Sequence, residues 1–372
     1  MGRECDKYWE HYDGLQRAKH RIIKRYLGGW YPKMSFSGNT RLLYIDSHAG
    51  RGRHETGHEG SPLIALRTLL EHKSRDKLLQ QTEFRFIFFE IYDRNAQALK
   101  DEIARLGTLP ANVHCEVHAQ DYAPILHEVC ETLRSEGAHL APAFVFVDPF
   151  GFSLSMELLN SLLMFPGVEL LINFMYRYVD MAIMATDAST PRATLDQLFG
   201  CSDWRALKGI ADSHERSRQT IRLFASQLRA KWVTHIEMQA FNTALKYVLF
   251  HASNHPEGRR LMKETLWAVI PYPEGGTFTA RERDMYDQVS LLDEPDLVPL
   301  RQWVFTTFAG QTVHYRDLRE ALLDTIYLDR HLHQVLRQAR KLGLIQAGGY
   351  YGKFSFAQNP WFRFPAHPPT AT

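Results

Sequence analysis

Three acidic side chains stand at the end of short apolar segments, or directly after them, in the first third of the sequence: Asp46, Glu90 and Asp121. A carboxylate in such a position can accept both hydroxyl groups of a ribose, and another can accept the exocyclic amine of an adenine ring. Each acid alone is more often a solvated side chain than a functional one. Together they outline an adenosine with an amine-bearing tail near Asp46, so we interpret them as one nucleotide-binding set.

A glycine-containing turn begins at the first of these acids. It runs from Asp46 to Gly52 and contains His48 and Gly50, and glycine allows a backbone to approach a nucleotide closely. Turns with an acid and glycines also end many strands that bind nothing. This one follows the first strand of an alternating sheet, where ligands of α/β proteins bind. We therefore predict S-adenosyl-L-methionine as the cofactor, bound by six residues: Asp46, His48, Gly50, Gly52, Glu90 and Asp121.

A second turn, Asp148-Pro149-Phe150, follows the apolar segment 143–147. Proline stiffens the turn, the carboxylate can accept from an amino group, and the phenyl ring offers a face on which a flipped base can stack. A sulfonium is already a strong electrophile, so the protein need only place a nitrogen lone pair and accept its proton. The alternative is a tight β-to-α turn with a capping acid. We predict Asp148, Pro149 and Phe150 as catalytic residues for an exocyclic amine of a nucleic-acid base, in RNA or in DNA, with RNA favoured.

Basic side chains gather in two segments although the net charge is only +2. Residues 17–25 carry five of them without an acid, and 329–342 carry four against one acid. Such segregation favours phosphate as a partner, although a basic face is often merely solvated and the second segment can also dock a protein. The predicted nucleic-acid contacts are Lys19, Arg330, Arg337, Arg340 and Lys341. No metal site is predicted, because the loop with His54, Glu55 and His58 lacks the spacing of a zinc motif.

The elements that position these residues alternate between strands and helices. Five apolar segments, beginning at 41 and ending at 174, are separated by helical stretches, which predicts an open α/β sheet. A helix over 7–28, ended by Gly28 and Gly29, precedes them. A helical insertion at 176–231 and a hairpin of 232–241 with 244–250 follow. This count predicts a seven-stranded, Rossmann-like class I methyltransferase sheet over 1–270, whose last strand is antiparallel.

A smaller C-terminal domain is predicted after a linker at 271–296, which is rich in proline, glycine and acids. Helices at 298–308, 317–323 and 329–342 precede an alternating run at 350–356 that can pair as a wing. The order predicts a winged helix-turn-helix domain over 297–364 and a loose tail at 365–372.

Composition excludes several classes of protein. Of 372 residues 45% are hydrophobic and 23% charged, which are values of a folded chain rather than a disordered one. The four cysteines are scattered, so we expect reduced thiols. No run of 18 apolar residues and no signal-peptide pattern occurs, so we expect a cytoplasmic protein without a membrane partner.

With these residues in hand, the sequence resembles the three-Cys-motif partner proteins (TcmP), a methyltransferase-like family associated with a radical-SAM protein. The resemblance covers nearly the whole chain, and its matching features are Lys19 with Tyr26 and Leu27, the turn Ala49 to Gly52, Gly60-Ser-Pro62, Asp148-Pro-Phe-Gly151 and Ile172-Asn173-Phe174. It implies a radical-SAM three-Cys-motif protein as a partner. The four residues from Asp148 are also similar to a motif of tRNA guanine-N2 dimethyltransferases, which favours an exocyclic base nitrogen as acceptor. An alternative function remains a non-catalytic, nucleic-acid-binding subunit of a radical-SAM or defence-associated complex.

Overall fold

The computed structural model of the chain describes residues 9–185, 192–270, 273, 276–282 and 295–367. Two compact units make up the chain: Met1–Thr265 with Thr277–Gln288, and Leu266–Gly276 with Val289–Thr372. Most of the predicted linker 271–296, and the predicted tail from 368 onward, lie outside the described residues.

A mostly parallel sheet of eight strands forms the centre of the first unit. Its strand order is β3-β2-β1-β4-β5-β7-β6-β8, and β7 alone runs antiparallel to both of its neighbours. The first seven strands match the predicted segments and follow the strand order of class I methyltransferases. The predicted count of seven is wrong, because residues assigned to the linker pair with β6 as an eighth strand. The strands are β1 (Arg41–Asp46), β2 (Glu83–Phe89), β3 (Val113–His118), β4 (Ala143–Val147), β5 (Val168–Phe174), β6 (Trp232–Gln239), β7 (Leu245–Ser253) and β8 (Phe278–Arg281).

Burial of the central strands explains why the sequence reveals them. Every residue of β4 and β5 is buried, and strands covered on both faces appear as continuous apolar runs. By contrast, β6 alternates between buried and partly exposed positions, so one of its faces is less completely covered. The parallel strands β1 to β5 bring their carboxyl ends to one edge of the sheet.

Helices cover the sheet and fill the connections between its strands. The first unit contains α1 (Gly14–Phe36), α2 (Ser61–Leu70), α3 (Arg75–Gln81), α4 (Asp93–Ala104), α5 (Tyr122–Ser135), α6 (Met156–Leu163), α7 (Tyr176–Met184), α8 (Arg192–Phe199) and α9 (Ser213–Gln227), and α10 (Pro256–Val269) follows β7. Between β5 and β6 the described residues form helices and no strand. In the ranges that the structure describes, no helix has the length and apolarity needed to cross a bilayer.

Helix α1 differs from its prediction at both ends. Asp13 caps its N-terminus, accepting from the backbone N–H of Gln16 at 2.7 Å. The predicted stop at Gly28 and Gly29 is wrong, since the helix continues to Phe36. A Cβ on Gly29 would lie 2.5 Å from Cδ1 of Leu261. Glycine at this position therefore serves close helix packing rather than helix termination.

The second unit has three helices and a small antiparallel sheet. Its elements are α11 (Val298–Thr307), β9 (Thr312–His314), α12 (Tyr315–Ala321), α13 (Asp329–Lys341), β10 (Gln346–Gly348) and β11 (Trp361–Arg363), and the strand order is β10-β11-β9. The three helices lie where the sequence predicts them. The predicted strand at 350–356 is absent among the described residues, because Gly349 and Gly352 adopt φ of +75° and +67°, which interrupts an extended run.

Candidate active site

The carboxyl edge of the sheet brings together the acids at the ends of β1, β2 and β4 and the cap of α5. The backbone N–H of Gly50 donates to Oε2 of Glu90 at 3.0 Å, which joins the first two strand ends. The charge of Asp148 acts on Asp46, and the charges of Asp148 and Asp121 act on His48. The predicted cofactor set and the predicted catalytic acid therefore share one edge, as the parallel strands require.

Asp46 is the most deeply buried of these acids, with an exposed fraction of 0%. It accepts hydrogen bonds from the backbone N–H of His48 at 3.2 Å and from the Tyr44 hydroxyl at 3.3 Å. Burial raises its pKa to about 7, and the charge of Asp148 adds to the rise, while a hydrogen bond from Ser61 opposes it. Such a carboxyl changes protonation near neutral pH, as residues at functional sites often do.

The glycines of the turn have packing reasons of their own. Gly50 and Gly52 adopt φ of +64° and +81°, which L side chains rarely adopt. A Cβ on Gly50 would lie 2.1 Å from Cζ2 of Trp9, and one on Gly52 would lie 2.8 Å from Cδ1 of Leu99. Trp9 thus lies directly on the turn, and its carbonyl accepts from the backbone N–H of Glu55 at 2.9 Å.

Glu90 and Asp121 differ in exposure and in the bonds they already make. Glu90 is 8% exposed and accepts from the backbone N–H groups of Gly50 and Tyr92 and from Nδ2 of Asn95. An ionised carboxylate has about four acceptor positions, so one remains for a ligand. Asp121 is exposed and caps α5, accepting from the backbone N–H of Ala123 at 3.0 Å.

His48 belongs to the first turn, and its ring faces the start of α5. Its Nδ1 lies 2.7 Å from Oγ of Ser47, and its ring lies 5.1 Å from that of Tyr122. Burial lowers its pKa to about 4, despite the opposing charges of Asp148 and Asp121. The imidazole is therefore neutral at physiological pH and can donate or accept a hydrogen bond without carrying charge.

Asp148 forms a buried cluster with two residues from other elements. Its Oδ2 lies 2.5 Å from Nζ of Lys19 on α1, and its Oδ1 accepts from Nδ2 of Asn173 near the end of β5. The side chain of Lys19 is only 3% exposed, and it also lies 5.8 Å from the ring centroids of Phe146 and Tyr247. The structure therefore places Lys19 inside the site and not on a surface where it could contact phosphate, which differs from its prediction.

Asn173 is the residue that sequence reasoning did not assign to the site. Its sequence signals are its position at the end of an apolar segment, next to the last residue of β5, and its place in the segment Ile172-Asn173-Phe174 that belongs to the family resemblance. Its contact with Asp148 joins residues 25 positions apart, which no local pattern shows.

Exposed apolar side chains surround this edge. Pro149 is buried, whereas Phe150 is 52% exposed, which suits the predicted stacking role. Other exposed side chains stand within four residues of a strand's carboxyl end: Ile91, Tyr92, Tyr178 and Phe241. These side chains add exposed apolar surface near strand ends to that of Phe150.

The second unit carries the remaining predicted basic contacts on α13. Arg330, Arg337, Arg340 and Lys341 are all exposed. The guanidinium carbons of Arg337 and Arg340 lie 5.4 Å and 4.0 Å from the ring centroids of Phe356 and Phe354. Within residues 295–367, none of the four pairs with an acidic side chain. In the part of the chain that the structure describes, no three His, Cys, Asp or Glu side chains converge as a metal site.

The fold and this edge define an α/β protein whose mostly parallel sheet has the strand order of class I methyltransferases. No family model matches the sequence, and no curated protein matches it. Three solved structures are distantly similar to the chain. Protein LPL1258 from Legionella pneumophila str. Philadelphia 1 is 13% identical, with a TM-score of 0.35, over 67% of this chain and 92% of that chain.

A putative methyltransferase from Porphyromonas gingivalis W83 is also 13% identical, with a TM-score of 0.27, over 60% of this chain and 40% of that chain. The human methyltransferase 10 domain containing protein is 11% identical, with a TM-score of 0.29, over 63% of this chain and 82% of that chain. Similarities this distant assign no activity to the chain.

Proposed function

We propose that the chain is an S-adenosyl-L-methionine-dependent methyltransferase that acts on an exocyclic amine of a nucleic-acid base, with RNA as the first substrate to test. One observation carries the proposal: carboxylates from β1, β2 and β4 meet at one sheet edge beside the half-exposed ring of Phe150. In α/β sheets this edge is where ligands bind.

The hydrogen-bond acceptors at this edge fit the proposed cofactor. Glu90 retains an acceptor position for a ribose hydroxyl, and Asp121 can accept from the adenine amine. Asp46, the fully buried first residue of the turn, supplies negative charge near the cationic amine when it is ionised, which its pKa of about 7 permits near neutral pH. The cofactor, when bound, supplies a methyl group that its sulfonium makes electrophilic.

The remaining residues orient the acceptor. Phe150 offers a planar face to a base, as aromatic side chains do in proteins that bind single-stranded nucleic acid. Asp148 lies two residues away, at the bottom of the same turn, and is 14% exposed. The site therefore combines a stacking surface with a buried polar cluster, and this combination suits an amino group carried on a flat ring.

Calorimetry and methyl transfer together test this proposal. S-adenosylhomocysteine should bind the full chain, and labelled cofactor should label mixed RNA or DNA. Phe150→Ala should lower transfer roughly tenfold or more, at about 1–3 kcal/mol per stacked base, without changing cofactor affinity. Phe36→Ala is the matched control, because that ring is 54% exposed on α1. No cofactor binding at millimolar concentration would remove the proposal.

We also propose that the second unit is a winged-helix domain that binds the phosphate backbone through α13. If Arg330, Arg337, Arg340 and Lys341 contact phosphates, log K should fall by about 0.7 to 0.9 per contact for each log unit of salt. The triple charge reversal of Arg337, Arg340 and Lys341 should flatten this slope by about three contacts. A matched triple reversal on the first unit uses exposed cations elsewhere: Lys73, Arg75 and Lys77. An unchanged slope would indicate a protein-docking domain.

A second candidate function is a subunit that binds nucleic acid without turnover and serves a radical-SAM three-Cys-motif protein, in line with the resemblance to the TcmP family. It is favoured by the contacts that already occupy the site, since Trp9 lies on Gly50 and both oxygens of Asp148 accept from the chain itself. In this case a co-expressed radical-SAM protein should co-purify with the chain, and wild-type protein should transfer no methyl group. Asp148→Asn should then leave the binding of nucleic acid and of the radical-SAM protein intact.

A further inference from the structure

The amide of Asn173 has one buried atom without a partner. The residue is 4% exposed. Its Nδ2 donates to Oδ1 of Asp148 and lies 3.4 Å from Sδ of Met175. Its Oδ1 makes no hydrogen bond within the described residues. Buried side-chain oxygens in folded proteins nearly always have a partner, so an orphan at a functional edge needs an explanation.

The cluster itself holds the amide in this orientation. Nζ of Lys19, which can only donate, lies 2.5 Å from Oδ2 of Asp148, so this carboxylate acts as an acceptor in the cluster. An ionised carboxylate accepts hydrogen bonds but donates none. Rotating the amide by half a turn would bring Oδ1 against a carboxylate oxygen, so Asn173 must present Nδ2 to Asp148. Its Oδ1, on the same planar group, is left as an acceptor beside the turn that carries Phe150.

We infer that Oδ1 of Asn173 accepts a hydrogen bond from the amino group of the substrate base, and that Lys19 is a positioning residue acting through Asp148. The inference rests on the proposed function and deepens it by naming the group that recognises the amine. Asp148 accepts from Nδ2 of Asn173 and from Lys19, so the carboxylate holds the amide with its Oδ1 turned away from it. An amine that donates one N–H in this way keeps its lone pair out of that bond.

Pairs of nucleosides that differ only in the amino group provide the test, which needs no altered protein. Adenosine is compared with purine riboside, guanosine with inosine, and cytidine with its 4-deamino analogue, by calorimetry in the presence of S-adenosylhomocysteine. The amino member of at least one pair should bind about 10- to 100-fold more tightly, as expected for a buried acceptor that gains its partner. Equal affinity in all three pairs, including no binding at all, would overturn the inference.

Variants locate this preference at the proposed atoms. Asn173→Leu should abolish it, whereas Asn160→Leu should retain it. Asn160 is a suitable control, because its amide is satisfied by Gln227 and Arg229 away from the site. A preference that survives in folded Asn173→Leu would overturn the assignment.

Lys19 is tested by conservative rescue. Lys19→Met should lose the preference for the amino member, and Lys19→Arg should recover most of it, at unchanged affinity for S-adenosylhomocysteine. A merely structural role would make both variants lose cofactor affinity and stability together, and that result would overturn the positioning role. Binding of S-adenosylhomocysteine to wild-type protein separates the two levels: its absence removes the proposed function, whereas its presence without amine preference removes only the inference.

Discussion

Replacing Asp46 with asparagine should stabilise the protein and weaken the cofactor site at the same time. The carboxyl is fully buried, and its pKa is raised from the usual 3.8 to about 7. At about 1.4 kcal/mol per pKa unit, keeping this group charged costs at most roughly 4 kcal/mol of folding free energy. A neutral amide of similar shape removes that cost.

Because the pKa of Asp46 is raised, the stability difference between Asp46→Asn and wild type should depend on pH. Because the folded state holds the proton more tightly than the unfolded chain, the stability contributed by Asp46 is fully present below pH 3.8 and is lost as pH rises through about 7. The advantage of Asp46→Asn over wild type should therefore grow by roughly 2 to 3 kcal/mol between pH 5 and pH 8. Loss of one hydrogen-bond acceptor shifts the variant by about 1 kcal/mol at both pH values and leaves this difference intact.

Urea unfolding at pH 5 and pH 8 measures this quantity, with Asp76→Asn as the control because that side chain is 86% exposed. At pH 8, where the wild-type carboxyl is ionised, calorimetry on the same variant should show affinity for S-adenosylhomocysteine reduced about tenfold or more, the loss expected when a charged partner becomes neutral. A stability difference that does not change with pH would refute the reasoning. A functional carboxyl kept at the expense of stability is a common compromise at active sites.

Three further substitutions probe the packing of the first unit. Glu169 is 4% exposed and accepts from Tyr26, Trp30 and His251; burial alone raises its pKa, but its partners, His251 foremost, hold it below the usual 4.5. Glu169→Gln should cost about 1.5 to 3 kcal/mol at pH 7 in urea unfolding, because three donors lose a charged acceptor. This deficit should shrink as pH falls below the usual carboxyl pKa of 4.5 and through the lower pKa of the folded state; a constant deficit would contradict an ionised Glu169. Gly258→Ala should destabilise the same cluster, since its Cβ would lie 2.5 Å from Oε2 of Glu169; an unchanged unfolding midpoint would show that the cluster can move aside. Gly50→Ala should destabilise the protein more than Gly57→Ala and should alter tryptophan fluorescence. Both glycines have positive φ, but only Gly50 faces Trp9. Equal losses of stability in the two variants would mean that backbone strain alone matters.

Local composition alone predicts much of the fold. Residues 143–147 and 168–174 are strands in the structure as the sequence predicts, because segments buried on both faces need apolar side chains at every position. The sequence also allows the acids at strand ends to be grouped, because parallel strands end at one edge of the sheet. The three helices of the second unit also follow from local apolar spacing.

Only the tertiary structure reveals the features that depend on distant partners. Strand β8 pairs with β6, and helix α1 continues past Gly29 because that glycine packs against Leu261. The run at 350–356 has the alternation of a strand, but Gly352 within it and Gly349 just before it have positive φ and interrupt the extended chain.

The candidate site depends most clearly on residues that are distant in sequence. Lys19 looks like a surface cation in a basic segment, yet it is buried against Asp148, 129 residues away. Asn173 belongs to a segment that the family resemblance includes, but its contact with Asp148, which orients its amide, is visible only in the tertiary structure. Backbone preference and periodicity are properties of neighbouring residues, whereas the environment that gives a side chain its charge state and its free acceptor is assembled only when distant segments pack together.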